Sequence, residues 1–260
     1  MDAMSYALCA MHCTLGTVAH LRHSRHFTMF HSFDLNRLIV MIVPLLFAVT
    51  IHEVAHGWVA NRLGDPTAKL SGRLSLNPIK HLDPIGSLLL PLMLLLVRSP
   101  IVFGYAKPVP VNFANLRNRR RDVILVSCAG VCTNLAAAVL CGIGSRVILH
   151  FRSFLAVSPF SFFAMDLFLM LGYGVLINAI LAVFNMIPVP PLDGSKVLLM
   201  VLPPRYAARY AYIGRFGMII LIFLLFTGVI NGVITFLVGP VLRICMGTEA
   251  LARFLQYLMR

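Results

Sequence analysis

Residues 38–60 read LIVMIVPLLFAVTIHEVAHGWVA, and this stretch decides the fold. From Leu38 to Ile51 every side chain but Thr50 is apolar, and the run stays apolar to Ala60 except at His52, Glu53 and His56. At about 1.5 Å of rise per residue such a helix spans the roughly 30 Å hydrocarbon layer of a bilayer. An ionisable group inside it costs about 2.5–3.5 kcal/mol on insertion scales, so Glu53 is a functional candidate from the outset.

The composition agrees. Hydrophobic residues make up 59% of the 260, charged residues 12%, and the mean hydropathy is +0.88. Soluble domains average about 45–50% apolar and 25% charged. A soluble globule this apolar could not cover its surface, and disorder requires the opposite composition. The expected fold is an all-α polytopic membrane protein. Four full spans are expected, at Leu38–Ala60, Val123–Leu149, Leu167–Phe184 and Ile213–Val238. Ile85–Val97 is too short to cross and reads as re-entrant. Leu70, Leu74 and Leu76 around Gly72 suggest a small membrane-associated β-hairpin. Residues 1–37, with His12, His20, His23, His26 and His31, read as a poorly ordered extension rather than a metal tract. Residues 38–240 form the membrane domain, and 241–260 read as an interfacial tail.

The net charge of +13 would suggest nucleic acid in a soluble chain. Here Lys and Arg lie between apolar runs and no aromatic stacking motif accompanies them. They read as topology signals and lipid-headgroup contacts, with no nucleic-acid partner expected. Cys128, Cys132 and Cys141 sit in an apolar run as small hydrophobes. Cys9 and Cys13 lack a second pair, Cys245 stands alone, and no disulfide framework is legible.

His52-Glu53-Val54-Ala55-His56 is an HExxH motif. Positions i and i+4 share one helix face, so both imidazoles can converge on one ion, and neutral imidazole suits Zn²⁺. Glu53, one residue round, is placed to take a proton from an activated water. With nine His and two Glu in the chain, chance supplies about 0.002 such motifs. Two buried structural histidines are the blander account, but they leave a carboxylate unpaired in lipid. Catalytic zinc usually has three protein ligands. Asp193, in Pro190-Pro191-Leu192-Asp193-Gly194, is the other carboxylate at membrane depth. Alone it reads equally as a helix cap; beside HExxH the ligand reading leads.

HEVAH on a first span, with Asn185-Met186-Ile187-Pro188-Val189-Pro190-Pro191-Leu192-Asp193-Gly194 after a later one, resembles the site-2 protease family of intramembrane zinc metalloproteases. KLSGRLSLNPIKHLDPIGSLLLP, AKPVPVN, and Ala129-Gly130 followed by Asn134 are similar to its compact bacterial branch, which has no PDZ domain. The resemblance covers residues 38–240. It implies one zinc per chain held by His52, His56 and Asp193, Glu53 as catalytic acid/base, and Asn185 near the substrate carbonyl. It also implies a single-pass transmembrane substrate. Val131 departs from the proline common in relatives, which puts the local helix geometry in question. Asn134 reads either as lining the site or as bonding helix to helix.

Two crossings between HExxH and Asp193 return the chain to the same side, as a shared site requires. That side carries 14 Lys and Arg (residues 62–121 and 196–215) against 8 on the other (22–37, 146–152 and 243–260). The positive-inside rule then points the site at the cytoplasm, in a cell-membrane protein. Loops 61–84 and 98–121 are candidate gates, with Gly86 and Gly104 as hinges. The rival expectation is a non-enzymatic zinc-binding membrane protein, an inactive relative or a transporter; an intact Glu53 argues against it. A peptidase with Glu249 as third ligand is the remaining alternative.

Overall fold

The computed structural model describes residues 35–89, 93, 96, 106–152, 154 and 161–259. The histidine-rich stretch up to 34, the Cys9/Cys13 pair, Gly104 and, within Ile85–Val97, residues 90–92, 94, 95 and 97 lie outside the described residues. Of the expected re-entrant segment, Pro84–Leu89 forms a single π-type turn.

Helix α1 runs Leu35–Arg62, α2 is the single turn Thr67–Leu70, and α3 is Arg119–His150. Then come α4 (Ser161–Met186), α5 (Asp193–Val201), α6 (Pro204–Ile213), α7 (Gly217–Phe226) and α8 (Val229–Leu258). Helices α1, α3 and α4 pack pairwise into the bundle that holds the site, and α8 lies against α3 and α4. Helix α3 starts four residues before the expected Val123 because its cap is reciprocal. The Asn118 side chain accepts from Arg121 N–H at 3.3 Å, and Asp122 accepts from Asn118 N–H at 2.8 Å. The helix continues unbroken through Val131, so the missing proline leaves no irregularity there.

Among the described residues, five stretches are long and apolar enough to cross a membrane, against the four expected. The run expected as one span, Ile213–Val238, is broken at Gly228, whose φ of 76° suits glycine and ends α7. Each half then joins its neighbour, giving Pro204–Phe226 and Val229–Leu258. Residues 241–258 extend α8 through a kink at Gly247, whose φ is 72°, and bury Met246, Leu251 and Phe254 in the core.

Small residues set the helix approaches, as expected where lipid tails give no hydrophobic drive to association. A methyl group at Gly142 would strike the Cys245 carbonyl, and one at Gly172 would strike the Phe254 ring. Large apolar side chains face outward, Phe236 at 78% exposure, which suits a surface covered by lipid.

The β-hairpin expected around residues 68–76 is not formed; the described residues contain no strand. The backbone donors are spent locally instead. Leu70, Ser71 and Arg73 N–H reach Pro66, Thr67 and Ala68 carbonyls at 2.9–3.0 Å. Asp65 organises this turn. Completely buried, it accepts from Thr67 N–H and Oγ1, from Asn112 N–H at 2.7 Å and from Asn115 Nδ2 at 2.9 Å. It thereby ties the end of α1 to the 106–115 loop. Burial opposes its ionisation, but hydrogen bonds from Thr67, Asn115 and Asn112 outweigh that and hold its carboxyl below the usual range.

Asp65→Ala should orphan these donors and cost about 3 kcal/mol at neutral pH. Because the folded carboxyl is depressed, its stabilisation is present above the unfolded value of about 4 and fades as pH falls through the folded one. Thermal midpoints in detergent should therefore differ between variant and wild type at pH 7 and converge in acid.

Candidate metal centre

HExxH occupies the penultimate turns of α1, and Asp193 opens α5. Three features bring them together. The prolines at 188, 190 and 191 stop α4 from continuing and turn the chain back. Gly194 lies so close to the Met186 and Ile187 carbonyls that no side chain fits there. Gly130 of α3 lies flat against both imidazoles: a methyl on it would sit 2.5 Å from His52 Cε1 and 2.6 Å from His56 Nε2.

The three ligand atoms then converge. His52 Nε2 and His56 Nε2 are 3.0 Å apart, and they lie 3.2 and 3.0 Å from Asp193 Oδ2. All three residues are buried, at 9% exposure or less. His56 Nδ1 donates to the Val126 carbonyl at 2.7 Å, so in the neutral ring Nε2 is a bare lone pair. A bare nitrogen and a carboxylate oxygen at this spacing repel unless a proton or a cation lies between them. A tetrahedral ion with bonds of about 2.0–2.1 Å sets its donors about 3.3 Å apart, close to what is found. The donor set and its spacing fit zinc.

Asp193 does not act as a cap by its side chain; Leu192 holds the cap position of α5. Its second oxygen, Oδ1, takes the Lys196 ammonium at 2.8 Å, which leaves only Oδ2 for the shared point. Glu53 stands beside the triad, its Oε2 accepting from Val109 N–H at 2.8 Å. That donor belongs to the extended segment Pro108-Val109-Pro110. Gly57 admits the segment, since a methyl there would meet Val109, Leu74 and Ala68 at 2.8–2.9 Å. A cavity of about 480 Å³ opens over Glu53, lined also by Pro108, Asn185 and Met218. Asn185 donates to Leu181 O at 3.0 Å, which uses one of its two amide protons.

Every residue expected at the site is thus in one place, except that Asn134 is absent from the cavity lining. Glu249, the alternative third ligand, pairs instead with Arg152 at 3.0 Å. Sequence reading did not find Lys196, the Val126 carbonyl or Val109 N–H. Lys196 leaves a trace, being a cation three residues along one helix from the carboxylate. Backbone groups leave none.

Gly130→Ala should push the imidazoles off their common point. The expected loss in zinc affinity is about tenfold or more, with the helical content unchanged, read by chelator competition and circular dichroism.

The family model for peptidase family M50 matches residues 40–226. The Bacillus subtilis protein named "Putative zinc metalloprotease YwhC" is 36% identical over 195 residues, covering 75% of this chain and 84% of that one. Two mycobacterial proteins named "Putative zinc metalloprotease Rip2" are also similar. The Mycolicibacterium smegmatis protein is 29% identical over 74% of this chain and 69% of its own length. The Mycobacterium tuberculosis H37Rv protein is 28% identical over 75% and 69%. No solved structure matches the chain significantly.

Proposed function

Since the chain belongs to peptidase family M50, a multi-pass membrane zinc metalloprotease, we propose that it cuts single-pass transmembrane proteins with His52, His56 and Asp193 as zinc ligands and Glu53 as acid/base. The observation that carries this is the convergence of two imidazole nitrogens and one carboxylate oxygen within 3.2 Å, with a second carboxylate, Glu53, beside them.

Zinc supplies Lewis acidity there, bringing a water's pKa toward 7 and polarising a carbonyl. The chain's own groups do the rest. Val109 N–H fixes one oxygen of Glu53, and the other is left to take the water's proton and pass it to the departing amine. The second amide proton of Asn185 is available to the oxyanion as the carbonyl is attacked. Asp193, tied to Lys196, stays a one-oxygen ligand and does not compete with substrate for space. A transmembrane helix hides its carbonyls in its own hydrogen bonds, so the substrate must unwind before the reaction.

The reading places the site toward the cytoplasm. The excess of Lys and Arg on the side of residues 62–121 and 196–215 supports it. So does the Arg152–Glu249 pair, which sets residues near 249 at the opposite end of α3, as that count assumes.

The test is cleavage of a single-pass model substrate in detergent by wild type and Glu53→Gln, with zinc quantified. Both should hold about one zinc per chain, and the variant should lose about 10²–10⁴-fold in rate. Asp193→Ala should lose the metal as well. Full activity in Glu53→Gln, or a folded wild type that takes up no zinc, would falsify the assignment.

A further inference from the structure

The two metal-facing histidines are not equally supported. His56 has its Nδ1 proton on the Val126 carbonyl. His52 has the same need: with Nε2 turned to the shared point, Nδ1 must carry the proton. Yet His52 Nδ1 is buried with no partner. Metal-bound histidines almost always give that proton to an acceptor, which fixes ring and tautomer.

The acceptor is found by following the helices. His56 meets α3 at Val126, and His52 meets it at Gly130, so α1 and α3 run in opposite senses here. One turn further along the same face of α3 is Asn134. It is completely buried, and neither its Oδ1 nor its Nδ2 has a partner. An orphaned donor on one helix therefore lies within a turn of an orphaned acceptor on the next.

The other side of the amide is also accounted for. Cys141 faces Gly174 and Gly144 faces Leu171, so α3 and α4 are likewise opposed. That register brings Asn178 of α4 level with residue 137, one turn from Asn134. Asn178 gives its Nδ2 to Gly174 O at 2.8 Å, and its Oδ1 is buried and unpartnered. An acceptor on α4 would orient the Asn134 amide with Nδ2 toward α4 and Oδ1 toward His52.

We propose that Asn134 is a positioning residue for the metal centre: its Oδ1 takes the Nδ1 proton of His52, directly or through one bridging water, and so holds Nε2 bare toward the ion. It touches neither substrate nor metal. The proposal rests on His52 being a zinc ligand.

The experiment compares wild type, Asn134→Ala and Asn134→Asp, each as the full chain in detergent. Zinc affinity is read by chelator competition, the His52 Nδ1–H by nitrogen-15 NMR of histidine-labelled protein, and the metal-free thermal midpoint alongside. Asn134→Ala should weaken zinc binding by 10–100-fold and lose the slowly exchanging Nδ1–H signal. Asn134→Asp, which keeps an acceptor, should restore both. Unchanged zinc affinity and an unchanged His52 signal in Asn134→Ala would overturn the proposal. So would a lower metal-free midpoint with zinc affinity intact, the pattern of a helix-to-helix bond alone. A folded wild type without zinc would overturn the ligand assignment itself, which separates the two failures.

Discussion

Lone pairs aimed at one another in a water-poor bundle repel, and the rest of this structure is arranged around making that repulsion useful. The His52 and His56 imidazoles and the Asp193 carboxylate come from segments about 140 residues apart in sequence, yet they share a point with no spare volume. In water each would be separately hydrated. In the bundle they are buried together, an arrangement that a divalent ion would stabilise by supplying the missing positive charge. The glycines at 130 and 194 follow from that demand. Each lets backbone approach where a single methyl would force the helices apart.

The segment between α4 and α5 shows how irregular backbone is tolerated at this depth. Exposed to lipid, its free carbonyls would be costly. Here those of Pro188 and Val189 are paired and that of Pro190 is covered. Tyr210 donates to the Pro188 carbonyl at 3.0 Å, Leu192 N–H reaches Val189 O at 3.0 Å, and Gly217 packs flush against Pro190. The amphipathic α6 and the start of α7 thus cover the bend that carries Asp193 and keep it from lipid. The chain after α5 supports the site without adding a donor to the triad.

The sequence made the chemical groups legible because their pattern is short-range or their cost is obvious. HExxH is a four-residue interval on one helix, and a carboxylate after three prolines in an apolar chain has few explanations. What the sequence hid was long-range or carried by backbone. Leu70, Leu74 and Leu76 suggested strands, but Leu70 and Leu76 are exposed, at 80% and 64%, and the Leu70, Ser71 and Arg73 N–H groups are spent on the Pro66, Thr67 and Ala68 carbonyls. The break at Gly228 was invisible because apolar residues flank it on both sides, and hydropathy does not register one left-handed residue. The Asn118–Asp122 cap lay inside a cluster of arginines that read as loop.

One contact couples the loop to the chemistry more tightly than its single hydrogen bond suggests. Val109 lies between Pro108 and Pro110, and neither proline has an N–H to give. Over those three residues the chain offers Glu53 one donor in one position. A slip of the loop by a single residue in either direction would present the carboxylate with a proline ring. The segment therefore works as a keyed part: over these three residues it engages Glu53 in one register or in none.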